Sequence, residues 1–227
     1  MAANPVKLFD IFEEAQSLVS KHAILLGISV FAITALYSAF DWLLLANPGQ
    51  NGFSLLSTIS GFVISLFMQY RVTEQLLADR RNLGSQLATR RYGSLFGALF
   101  LSSLAIGAGL IAFIIPGLYL AGRWLTVTAR VVESNLGGNA ALGASWVDSE
   151  TSQLPFSLAY LVSLTPLALL AGLAFGGWEA LFDSSELLSI LVVNLMTGLA
   201  FVLGWTIATA AYRCAVPSDK GIDQVFA

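Results

Sequence analysis

Three polar side chains interrupt long apolar runs in this sequence: Asp41, Arg123 and Asn194. An Asp or Arg at the centre of a membrane span costs about 2.5–3.5 kcal/mol on insertion scales, so such residues face protein and pair or line a polar cavity. Asp41 lies about five residues before the turn-rich loop Asn47-Pro48-Gly49-Gln50-Asn51-Gly52, and Arg123 about six after Pro116-Gly117. At the rise of an α-helix both then sit about 8–9 Å inside the outer boundary, and Asn194 falls at similar depth. Two readings follow. An Asp41–Arg123 ion pair locks two spans together, or the three residues line an outward-facing polar cavity for a headgroup or an ion, as in a small transporter or channel.

Other reactive side chains are few. His22 is the only histidine and Cys214 the only cysteine, which leaves no disulfide framework and no Cys- or His-based zinc site. There is no H-E-x-x-H, no G-x-S-x-G and no Walker glycine loop. Asp183-Ser184-Ser185-Glu186 could touch a cation, but Ser184 or Ser185 capping the following helix explains it better. The expectation is a non-enzyme with no metal, cofactor or nucleic acid.

The elements that would carry these residues are membrane helices. Charged residues make up 11% of the chain, and its mean hydropathy is +0.76. A soluble domain carries about 25% charged residues, too many for this chain to match. Apolar runs near the length of a bilayer crossing imply an all-α polytopic membrane protein. Six spans are expected: about Ile24–Ala46, Phe53–Tyr70, Ser94–Ile115, Leu118–Val132, Phe156–Trp178 and Leu187–Tyr212. The third should break at Pro116-Gly117, and the fifth should kink at Thr165-Pro166.

Residues 1–22 do not have the pattern of a cleavable signal peptide. Leu8, Phe9, Ile11, Phe12, Ala15, Leu18 and Val19 share one broad helical face. They read as an interfacial helix, either on the membrane surface or packed on the protein's own cytosolic face. The spans then occupy 23–214, and 215–227 form a polar tail.

Charge sets the orientation. Lys7, Lys21, Arg71, Arg80, Arg81, Arg90, Arg91, Arg130, Arg213 and Lys220 all fall on one side of a six-span layout. The opposite loops carry only Glu179, Asp183 and Glu186. The positive-inside rule therefore puts both termini in the cytoplasm. Arg80, Arg81, Arg90 and Arg91 would meet anionic headgroups, or serve topology alone.

Four-residue steps of small residues (Gly93 and Gly97, Ser103 and Gly107, Ala105 and Gly109, Gly172 and Gly176, Ala200 and Gly204) would let spans pack closely, or let two copies or another membrane protein associate. NLGSQL at 82–87 and ALGASW at 141–146 hint at a repeated unit of surface helix plus hairpin, or at chance convergence.

Ile115-Pro116-Gly117, Arg123, Glu133, Gly137-Gly138, Ala141-Leu142 and Ser145-Trp146 form one further pattern. Over about residues 110–150 it resembles a bacterial six-helix inner-membrane family. That family includes YciC-type proteins and the membrane domain attached to some glycerophosphoryl diester phosphodiesterases. The resemblance implies six spans, cytoplasmic interfacial helices before the later hairpins, and an inner-membrane location. Its members are mostly of unknown function. The chain departs from the pattern at Val147-Asp148-Ser149-Glu150, where such proteins are often basic, and this puts anionic-lipid contact there in doubt. Together these observations lead to a lipid-interacting or scaffold protein of the envelope.

Overall fold

The computed structural model describes residues 5–47, 51–80, 90–176 and 186–216. Its helices are α1 (Leu8–Ala46), α2 (Asn51–Leu76), α3 (Tyr92–Ala112), α4 (Ile114–Arg123), α5 (Val127–Glu133), α6 (Gly138–Asp148), α7 (Gln153–Ser163), α8 (Thr165–Gly176) and α9 (Glu186–Ala215). The described residues contain no strand.

Four helices are long and apolar enough to cross a membrane: α1, α2 from Leu55, α3 and α9. The bent pair α7–α8 makes a fifth if it counts as one span. Its 44° bend falls at Leu164, just before Thr165-Pro166. Proline at the start of α8 removes a donor that the preceding turn would need. The expected span 118–132 is not one helix but is divided between α4 and α5, of 10 and 7 residues.

The turn between α3 and α4 also differs from expectation. The chain reverses at Phe113, in extended conformation (φ −160°, ψ 139°), and Pro116 and Gly117 lie inside α4. The first helical turn has amide groups without intrahelical partners, so proline is tolerated there. Gly117 lets α4 close on α3: a Cβ built on Gly109 would come within 2.9 Å of Gly117 Cα. The other expected small-residue steps are looser, since a Cβ on Gly93, Gly97, Gly107 or Gly172 would meet nothing within 4 Å. Gly198 lets α9 come close to α1, with Thr34 Oγ1 3.1 Å from a would-be Cβ.

α1 has one non-helical residue, His22 (φ −119°, ψ 23°), where the amphipathic segment gives way to the first span. Ile11, Ala15 and Leu18 are buried in a core with Val72 and Leu76 of α2, Phe156 of α7, and Ala210 and Ala211 of α9. Phe9, on the other side, is 74% exposed. This part of α1 thus packs on the protein's own charged end while keeping an apolar outer surface. A second core joins Tyr70, Leu95, Ala98, Val131, Val132, Ala141 and Tyr212 beneath α6.

Candidate functional site

Asp41, Arg123 and Asn194 fall into two separate sites. Asp41 is on α1 and Asn194 on α9, the helices that pack most extensively on each other. Asn194, 4% exposed, donates from Nδ2 to Asp41 Oδ2 at 2.7 Å and lies 3.3 Å from Ser38 Oγ. Tyr37 Oη donates to the Gly61 carbonyl at 3.0 Å and links α1 to α2. A cavity of about 200 Å³ opens between these helices, lined by Tyr37, Phe40, Asp41, Ser57, Thr58, Gly61, Phe62 and Asn194.

Arg123 does not pair with Asp41. Its Nε donates to Tyr119 Oη at 3.0 Å and its Nη1 to the Trp146 carbonyl at 3.2 Å. The guanidinium lies 4.8 Å from the centre of the Trp146 ring and 5.1 Å from that of Tyr119. The physical reason is the earlier turn. Arg123 is ten residues beyond Phe113, about 15 Å along α4, at the end that meets α6 rather than beside Asp41.

Ser145 of α6 and Ser149, just past its end, hold the break after Arg123. Ser145 Oγ donates to the Arg123 carbonyl at 2.9 Å, and Ser149 Oγ lies 3.3 Å from the same oxygen. They take over an acceptor that the interrupted helix leaves without its usual partner. Thr126 Oγ1, in the break, reaches Ser145 Oγ at 2.9 Å and Asp148 Oδ2 at 3.1 Å. Arg130 then grips Asp148 with two nitrogens, Nε at 2.8 Å from Oδ2 and Nη2 on Oδ1, with its guanidinium 5.2 Å from the centre of the Tyr212 ring. Gly138 sets the other end of α6, where a Cβ would come within 2.8 Å of the Ser94 carbonyl oxygen.

Two of the four basic residues expected at lipid headgroups, Arg80 and Arg90, have protein partners. Arg80 Nη2 donates to the Val216 carbonyl, and its guanidinium lies 5.7 Å from the centre of the Tyr212 ring. Arg90 meets Glu74 at 3.4 Å, and so does Arg71. Arg91 is exposed at the start of α3, and Arg81 lies outside the described residues.

Sequence reasoning missed Arg213. This side chain bonds Glu14 of α1 through Nε, the Leu76 carbonyl of α2 at 3.1 Å, and both oxygens of Asp79 at 2.7 and 2.9 Å. Its hydrogen bonds hold the Asp79 carboxyl below its ordinary value of 3.8, against a smaller opposing effect of burial. One arginine thus ties three helices. Only its place at the end of a span hinted at this.

A second cavity, of about 270 Å³, lies among α2, α3, α4, α5, α7, α8 and α9. No charged residue lines it. Its polar groups are mainly Gln69, Ser102, Ser103, Thr128, Tyr160 and Ser163, and both helix breaks border it through Trp124, Leu125 and Leu164. Gln69 Nε2 donates to Thr128 Oγ1 at 2.9 Å. Among the described residues no group of three or more His, Cys, Asp or Glu side chains converges to hold a metal ion. Comparisons with protein-family models, curated proteins and solved structures give no match to this chain.

Proposed function

We propose that this chain is a lipid-interacting integral protein of a bacterial inner membrane, with six spans, both termini cytoplasmic and no catalytic activity of its own. The observation that carries the reading is the uncharged cavity of about 270 Å³ beside the two helix breaks. Non-helical backbone at membrane depth is tolerated where it is covered by protein or lines a cavity. A wall of leucines, aromatic rings and a few hydroxyls suits the acyl-to-glycerol region of a lipid, since it offers apolar surface and neutral hydrogen bonds but no counter-ion.

Six spans follow if α4 and α5 cross together. Ile114 to Glu133 is 20 residues, about the number a helical crossing uses, which supports this reading. The ten basic residues on one side then set the orientation. The resemblance to YciC-type proteins is part of the same proposal. Association with a second copy or another membrane protein would use the apolar outer surface.

Gly204 gives the test. It lines the cavity, and a Cβ there meets only Ser163, at 3.7 Å or more. Gly204→Leu should fill the space without closing the helix contacts. Native mass spectrometry of the purified protein should show co-purified lipid on the wild type and less on Gly204→Leu. Equal lipid on both would reject the cavity as the lipid site. A small transporter or channel is the second reading, favoured by the separate polar cavity at Asp41 and Asn194.

A further inference from the structure

Asp41 is a carboxylate in a membrane helix, and among the described residues no cation bonds it. Its one bonded partner among the described residues is the neutral Asn194 amide. The sequence itself offers no substitute nearby. Residues 23–70 contain no Lys, Arg or His, and neither do residues 131–212, so the stretches of the three helices that line the cavity carry no positive charge. Arg123, the one basic residue inside an apolar stretch, is engaged by Tyr119, Trp146 and Ser149. Intramembrane carboxylates pair with a charge or face a polar cavity, and the cavity at Asp41 leaves room for a charge from outside the chain.

The surrounding groups select the kind of cation. Three aromatic rings, Tyr37, Phe40 and Phe62, line the cavity together with Asp41. The Tyr37 ring is fixed by its hydroxyl on the Gly61 carbonyl, and Gly61 makes room for it, since a Cβ there would come within 3.0 Å of the ring. Ser57, Thr58 and Asn194 add neutral polar residues to the lining. A bare alkali or alkaline-earth ion needs a shell of about six or more oxygens, and rings displace such ligands. An ammonium group asks for less: an anion, one or two acceptors, and aromatic faces that attract its spread charge.

We infer that the Asp41–Asn194 cavity binds an organic ammonium group of the ethanolamine or choline type. The site lies apart from the uncharged cavity on which the lipid reading rests, so either can fail alone. The ammonium can belong to a zwitterionic lipid headgroup or to a free amine, because the recognising chemistry is the same for both.

The test uses the full chain in nanodiscs of phosphatidylglycerol, which carries no amine. Equilibrium dialysis with radiolabelled ethanolamine at constant ionic strength measures binding. The wild type should bind, and Asp41→Asn should bind about tenfold or more weakly, because it keeps the side-chain shape but removes a charge-assisted contact. Phe40→Leu, which leaves the carboxylate in place, should also weaken binding and serves if Asp41→Asn is poorly folded. Discs doped with phosphatidylethanolamine identify the source: lost binding of free ethanolamine assigns the site to the headgroup, and unchanged binding assigns it to a free amine. No binding by the wild type, equal binding by wild type and Asp41→Asn, or displacement of ethanolamine by equimolar potassium would overturn the inference.

Discussion

At the end of the bundle rich in basic residues, Arg213 bonds Glu14 and Asp79, Arg130 bonds Asp148, and Arg90 bonds Glu74. At the opposite end Asp41 has an amide for a partner and a cavity in front of it. The first set joins α9 to α1 and to the end of α2, far apart in sequence, and α5 to the next helix, α6. Asp79, Asp148 and Glu74 each meet two nitrogens of one arginine, which satisfies several acceptor sites at once and fixes orientation, and Glu14 takes a single bond. The contrast is between charges paired across helices and Asp41, whose bonded partner is a neutral amide.

The largest effect is expected where a paired charge is most buried. The Arg130 and Asp148 side chains are 20% and 5% exposed. Arg130→Leu leaves Asp148 with only neutral donors and should cost about 3 kcal/mol, read as a lower thermal unfolding temperature in nanodiscs. A cost below about 1 kcal/mol would mean that the α5–α6 pair is no more structural than a surface ion pair.

Arg213→Gln should have a smaller effect that depends on pH. The folded-state pKa of Asp79 is depressed, so its contribution is present above its ordinary value of 3.8 and is lost as the pH falls through the folded value. The variant should therefore be less stable than the wild type at neutral pH, and the gap should narrow as the pH drops below about 4. Unfolding curves over a pH series read this directly. A gap independent of pH would assign the loss to the Leu76 carbonyl bond and packing instead.

Much of the scaffold was legible from local pattern. Long apolar runs became α1, α2, α3 and α9, Thr165-Pro166 marked the bend, and the change from amphipathic to apolar at His22 coincides with the irregularity in α1. Depth counting placed Asp41 and Asn194 at one level, and they are hydrogen-bonded. The same counting misplaces Arg123, because the chain turns at Phe113 and Pro116 sits inside the first turn of α4. Residues near the break after Arg123 give little local sign of it. It is held by Ser145 and Ser149, more than twenty positions away, and a hydroxyl on a remote helix leaves no trace in periodicity. The Arg213 contacts cross most of the chain and were invisible for the same reason.

The smallest effect is expected at Asp41, and it bears most directly on the contrast between the two ends. Thermal unfolding of the full chain in nanodiscs at neutral pH should be compared for Asp41→Asn and Asp148→Asn, the same carboxylate-to-amide change at opposite ends. Asp148→Asn should lose about 2 kcal/mol or more, because Arg130 is left half-buried without its anion. Asp41→Asn should lie within about 0.5 kcal/mol of the wild type, since no ion pair is broken. A loss at Asp41 equal to that at Asp148 would contradict the account, for it would mean that Asp41 is a structural charge after all.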